Sequence, residues 1–121
     1  MVGRKVEQKF DRPVKSFDKV LMNINNISTK SKLKDISFNL YKGEILGFFG
    51  LMGAGRTELA KAIYGYDNIS NGSIEIDGQT LKKFNTQTMV KNGVGYVTED
   101  RKGEGIIKDM NLRENLSLIH I

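Results

Sequence analysis

The run Ile45-Leu46-Gly47-Phe48-Phe49-Gly50-Leu51-Met52-Gly53-Ala54-Gly55-Arg56-Thr57-Glu58-Leu59 decides how the rest of the chain is read. Its opening residues, Ile45 to Phe49, are apolar throughout rather than alternating. That predicts a strand buried on both faces, as in a parallel sheet. The glycines Gly50, Gly53 and Gly55 follow. Beyond them Leu59, Ala62 and Ile63 fall at helical spacing, and Gly65 supplies a stop. Buried strand, glycine-rich loop and helix thus occur in that order. The loop fits G-x-x-x-x-G-K-[ST], with Arg56 in the lysine position.

The chemistry follows from what a phosphate chain requires. Several backbone N–H groups must converge on it, and only residues without a side chain let the backbone come that close. Gly50, Gly53 and Gly55 provide that freedom, and Leu51, Met52 and Ala54 complete the loop. The following helix aims its first amides and positive dipole end at the same anion. Thr57 offers a hydroxyl to a magnesium ion bridging the outer phosphates. Two residues depart from the pattern. Arg56 keeps the charge, but its planar fork is bulkier than an ammonium, which predicts retained phosphate binding and impaired hydrolysis. Glu58 brings a carboxylate close to where phosphate oxygens would lie. The candidate nucleotide-binding residues are therefore Gly50, Leu51, Met52, Gly53, Ala54, Gly55, Arg56, Thr57 and Glu58. The competing reading is a tightly packed glycine turn that binds nothing.

Toward the N-terminus, residues 1–19 are polar, hold the only proline, Pro13, and read as a linker or arm; the ordered domain is expected over 20–121. Val20, Met22 and Ile24 alternate as in a strand, Ser28 to Lys32 form a polar turn, and Ile36 to Leu40 alternate again. Lys42-Gly43 makes a further turn. Toward the C-terminus, Asn71-Gly72 opens the alternating segment Ser73 to Ile76, which Asp77-Gly78 closes in a hairpin-like signature. A short helix is expected over Thr86 to Lys91, ending at Gly93, and a strand over Val94 to Val97. Thr98 to Asp109 reads as a charged loop, and Leu112 to Ile119 as the start of an amphipathic helix. Within that loop Glu99 follows a strand end and is placed to reach a metal or its attacking water, the alternative being a solvated loop.

A chain of 121 residues suits one domain. Its 39% hydrophobic and 27% charged residues are those of an ordinary globular protein. The formal charge is +5, but the basic residues do not cluster. Lys30, Lys32 and Lys34 alternate, Lys82 and Lys83 sit among polar neighbours, and no aromatic residues interleave them to stack bases. A solvated basic surface, or one facing a membrane protein, is expected rather than a nucleic-acid groove. With no cysteine, disulfides and thiolate chemistry are excluded. His120 is the sole histidine, which argues against a catalytic triad or a His-rich metal site. No signal peptide pattern opens the sequence, and its longest apolar stretch, Ile45 to Ala54, is too short to span a bilayer. A cytoplasmic location is the expectation.

The runs "GEILGFFGLMGAGRTELAKAIYG", "GSIEIDG", "GVGYVTEDRKGEGI" and "MNLRENLSL", taken in order, resemble an ATP-binding cassette. More narrowly they resemble the second cassette of the double-cassette ATPases that drive bacterial monosaccharide import, of the ribose, galactose and xylose type. The opening "MVGRKVE" is similar to the segment leaving the first cassette, which would make Met1 an internal position of a longer protein. The resemblance implies an α/β fold: a partial P-loop NTPase core with an antiparallel β layer and an incomplete parallel sheet. It makes Gly50, Gly53, Gly55, Arg56 and Thr57 the Walker A loop and puts Glu99 at the Q-loop position, where a carboxylate still suits magnesium. No adenine-stacking aromatic occurs in Ile27-Ser28-Thr29-Lys30, leaving the phosphates as the main handle.

The cofactors implied are ATP and Mg2+. The implied partners are a second cassette, membrane permease subunits and, indirectly, a sugar-binding protein, with a peripheral position on the inner face of the cell membrane and no nucleic acid. The signature motif, Walker B carboxylates and switch histidine would fall beyond residue 121, and His120 lies too early for that last role. The 121 residues are thus expected to bind nucleotide and to be inactive alone. Two other readings stay open: a regulatory or structural nucleotide-binding module with a degenerate loop, and a small phosphotransferase kinase, which leaves "EDRK" and "RENLSL" unexplained.

Overall fold

The computed structural model describes residues 18–117. They form β1 (Val20–Thr29), β2 (Ile36–Tyr41), α1 (Arg56–Tyr64), β3 (Ile69–Ile76), β4 (Gln79–Thr80), α2 (Thr86–Lys91) and α3 (Leu112–Ser117). The strands make one antiparallel sheet in the order β2-β1-β3-β4. Most of the expected arm, the final turn of the last helix and His120 lie outside the described residues.

The central strand β1 begins with the alternation its sequence shows, burying Met22 and Ile24, and then steps by three to bury Ile27. Its pairing explains the step. Ile24 faces Phe38 but Ile27 faces Ile36, so three residues on β1 span two on β2, a β-bulge. Asn26 inside the bulge has φ 48° and donates its N–H to Ser37 Oγ at 2.8 Å. Across the other ladder Gly72 sits at φ 101°, and a Cβ there would lie 2.5 Å from the Asn26 carbonyl oxygen. Gly72 therefore lies inside β3 rather than opening it, and β3 starts four residues before Ser73, at Ile69. The hairpin to β4 turns on Asp77 (φ 48°) and Gly78 (φ 78°). Two successive positive φ values match the twist of the flanking strands. Lys19 Nζ braces this turn at 2.8 Å from Asp77 Oδ1 and holds that carboxyl below its ordinary range.

One face of the sheet is covered by helices. Met22, Ile24, Ile27, Ile74 and Ile76 pack with Met89 of α2 in one cluster, and Leu33, Leu59 and Ala62 seat α1 in another. Phe38, Ile63 and Ile69 touch both clusters and join them. The stop at Gly65 is realised, with the Tyr66 N–H reaching back to the Lys61 carbonyl at 2.9 Å. The expected α2 starts at Asn85, whose side chain accepts the Thr88 N–H at 2.8 Å.

Two expected strands are absent, and their absence is a correction to the sequence reading. Neither Ile45–Phe49 nor Val94–Val97 lies in a ladder. Ile45 and Phe49 are fully in solvent, at 96% and 101% exposure. The apolar composition does suit a buried strand, but a parallel strand takes its hydrogen bonds and its cover from other elements. Among the described residues every paired strand belongs to the antiparallel sheet. The two segments are held instead by aromatic contacts: Phe48 edge-on to Phe38 at 5.0 Å, and Tyr96 stacked on Tyr64 at 5.4 Å. The expected helix near the C-terminus is present as α3, opened by a reciprocal cap in which Asn111 and Glu114 exchange side-chain and backbone bonds. Its Leu112 and Leu116 face solvent.

Candidate functional site

The glycine loop leads into α1 through two left-handed residues, Gly53 at φ 82° and Gly55 at φ 92°. A residue with a Cβ is strained in that region. Folding back, the loop donates the Ala54 N–H to the Leu51 carbonyl at 3.0 Å. The first helical bond runs from the Leu59 N–H to the Gly55 carbonyl at 2.8 Å. Gly55 is the N-cap and has no side chain to cap the first turn. The amides preceding Leu59 therefore have no intrahelical acceptor and point with the dipole toward the loop.

The β1–β2 turn closes over this helix end. Thr29 Oγ1 accepts the N–H groups of Lys32 (3.3 Å) and Leu33 (3.1 Å), while the Thr29 N–H donates to the Leu33 carbonyl at 3.0 Å. Leu33, 6% exposed, is buried against Leu59 and Ala62. Pinned this way, the turn carries Lys32 to the first turn of α1, where its Nζ donates to Glu58 Oε1 at 2.5 Å. The Lys32 ammonium, and next the backbone N–H of Glu58 itself, hold this carboxyl below its ordinary range.

Met52 to Glu58, Lys32 and Glu99 line one open hollow of about 410 Å3. Of the nine expected loop residues, Gly50 and Leu51 are outside that lining. Glu99 reaches the hollow from the loop that follows Val97. A carboxylate ties this loop to α1: Glu104 Oε1 accepts from Lys61 Nζ at 2.6 Å, and Glu104 Oε2 accepts from Thr98 Oγ1 at 2.7 Å. The pair is mutually stabilised, with Glu104 pushed down chiefly by Lys61 and Lys61 pushed up chiefly by Glu104. The Gly103 N–H closes the loop on Asp100 Oδ1 at 2.9 Å.

Thr57 and Glu99, expected around a magnesium ion, thus reach the same hollow. Among the described residues no group of three or more His, Cys, Asp or Glu side chains is placed to hold a metal by itself. A magnesium ion here would need phosphate and water for most of its six ligands, its usual habit. Three participants escaped the sequence reading: Lys32, Lys61 and Glu104. Their pairings span 26 and 43 residues, so no local spacing signals them. No helix of the described residues is long and apolar enough to cross a membrane.

Residues 33–120 match the family described as ABC transporter. Over the whole chain the sequence is similar to curated proteins named ribose import ATP-binding protein. Identity is 46% with that of Clostridium tetani, 43% with one from Rubrobacter xylanophilus and 41% with that of Bacillus subtilis, covering 100%, 98% and 98% of this chain. The chain spans about a quarter of the length of these relatives, 24% in each case.

Proposed function

This chain belongs to the ATP-binding cassette transporter family, and from that footing we propose that it is the front half of a nucleotide-binding cassette in a sugar-importing ATPase. One observation carries the reading: the capless N-terminus of α1 opens on a hollow lined by Met52 to Glu58, with Glu99 facing it. The first-turn amides of α1 other than that of Glu58, together with the helix dipole, hold the phosphates of ATP. The Thr57 hydroxyl and the Glu99 carboxylate are the residues that would hold Mg2+ there. Magnesium, when bound, neutralises charge that develops on the outer phosphate oxygens. Arg56 supplies positive charge without the compact ammonium of the usual lysine.

The sugar-import assignment rests on the relatives named for ribose import. On this reading residues 1–19 are an arm from a preceding cassette and 20–121 begin the second one. A facing cassette and membrane permease subunits complete the assembly at the inner face of the cell membrane, with a sugar-binding protein acting indirectly. Arg56 and Glu58 favour a second reading for this site alone, in which it holds nucleotide without turnover and hydrolysis takes place in the other cassette.

Titration calorimetry of MgATP into the chain tests the site. Binding is expected, and Gly55→Asp, which puts a carboxylate and a Cβ at φ 92°, should abolish it. No heat from the unaltered chain at any magnesium concentration would leave the non-binding glycine turn as the better account.

A further inference from the structure

Besides the loop itself, the hollow is lined by four charged side chains, Lys32 and Arg56 against Glu58 and Glu99. Their formal charges cancel. Glu58 stands in the first turn of α1, where a bound polyphosphate would meet its carboxylate across a few ångströms and be repelled. From the neighbouring turn Lys32 occupies that carboxylate with a 2.5 Å hydrogen bond. The backbone of its turn is locked by the Thr29 hydroxyl and packed on α1 through Leu33, which brings the half-exposed Lys32 side chain beside Glu58.

We propose that Lys32 is a positioning residue for the nucleotide site: it neutralises Glu58 and holds its carboxylate aside, so that a loop carrying an acidic residue still accepts a polyanion. The inference rests on the nucleotide reading above. It differs from a direct phosphate contact, because it makes Lys32 important only while Glu58 is charged. Removing Lys32 leaves the hollow with two carboxylates against one guanidinium.

A double-mutant cycle read by MgATP titration of the full chain separates these cases. Lys32→Met should weaken binding by about tenfold, an unscreened carboxylate against polyphosphate in a partly solvated site. Lys32→Arg should restore it to within about threefold, since it keeps the charge. Glu58→Gln alone should bind more tightly than the unaltered chain, because it removes the repelling carboxylate. In the Glu58→Gln background, Lys32→Met should then cost less than about twofold. Equal losses in both backgrounds would make Lys32 a direct phosphate ligand and overturn the proposal. Unchanged binding by Lys32→Met overturns it too, and so does a Lys32→Arg variant as weak as Lys32→Met. Should Lys32→Met fail to fold, Lys32→Gln enters the same cycle. An unaltered chain that binds no MgATP removes the nucleotide reading itself, and this inference with it.

Discussion

Lys61 and Glu104 are 43 residues apart in sequence and joined at 2.6 Å, a link that fastens the loop bearing Glu99 to the helix bearing Thr57. Glu104 also accepts from Thr98, so one carboxylate bridges the helix and the start of the loop. The bridge joins the segments that carry the two expected magnesium ligands, Thr57 and Glu99.

Lys61→Met should therefore weaken the magnesium-dependent part of nucleotide binding by about tenfold, while binding in EDTA changes less than about twofold. Lys61→Arg, which keeps the charge, should recover most of the loss. Titrations with and without magnesium check this, and equal losses under both conditions would refute the coupling.

The same pair sets a pH window. Glu104 titrates below its ordinary 4.5, so its contribution to stability is complete above that value and disappears as pH falls through the folded-state value. Lys61 titrates above its ordinary 10.5, so its contribution is complete below that value and is lost as pH rises through the folded-state value. The difference in urea midpoint between the unaltered chain and Lys61→Met should be flat around neutrality and shrink as pH falls below the ordinary 4.5 of Glu104.

Met89 is fully buried where α2 meets the sheet. Met89→Ala should destabilise the fold by about 2–5 kcal/mol, the range for deleting a buried side chain of that size. Val90→Ala, one residue on and 56% exposed, should cost less than about 1 kcal/mol. Denaturant melts of the two variants make the comparison.

Within a complete importer ATPase carrying this segment, Arg56→Lys should raise phosphate release at this site by about tenfold, because the ammonium fits the loop as a point charge. An unchanged rate would assign the impairment to Glu58 or another departure.

Ile45, Phe49 and Val97 are more than nine-tenths exposed on segments whose backbones lack a sheet partner. Such segments recruit another strand, so the chain should self-associate as its concentration rises. Sedimentation velocity checks this: Phe49→Asp should reduce association, and a monomer at every concentration would refute it.

Much of the architecture was legible. The alternation of Met22 with Ile24 and of Ile74 with Ile76, the Asp77-Gly78 turn, the Gly65 stop and the helix over Thr86 to Lys91 all rest on local backbone chemistry, and each appears as read. The bulge at Asn26 was not legible. Only the unequal spacing of partners on β1 and β2 reveals it, and it in turn puts Gly72 inside a strand. The apolar run Ile45 to Phe49 suggests a strand buried on both faces, and the structure leaves it both unpaired and largely exposed.

What the sequence by itself determined is the set of short-range features: strand periods, turns, and a glycine loop meeting the end of a helix. These depend on φ preferences and on hydrogen bonds between residues close along the chain. Tertiary structure alone decided which charges meet at that loop and which extended segments find a sheet. Lys32 with Glu58, Lys61 with Glu104 and the missing ladders of Ile45–Phe49 and Val94–Val97 all depend on partners from distant stretches of chain. No spacing within a segment encodes a contact whose other half lies elsewhere.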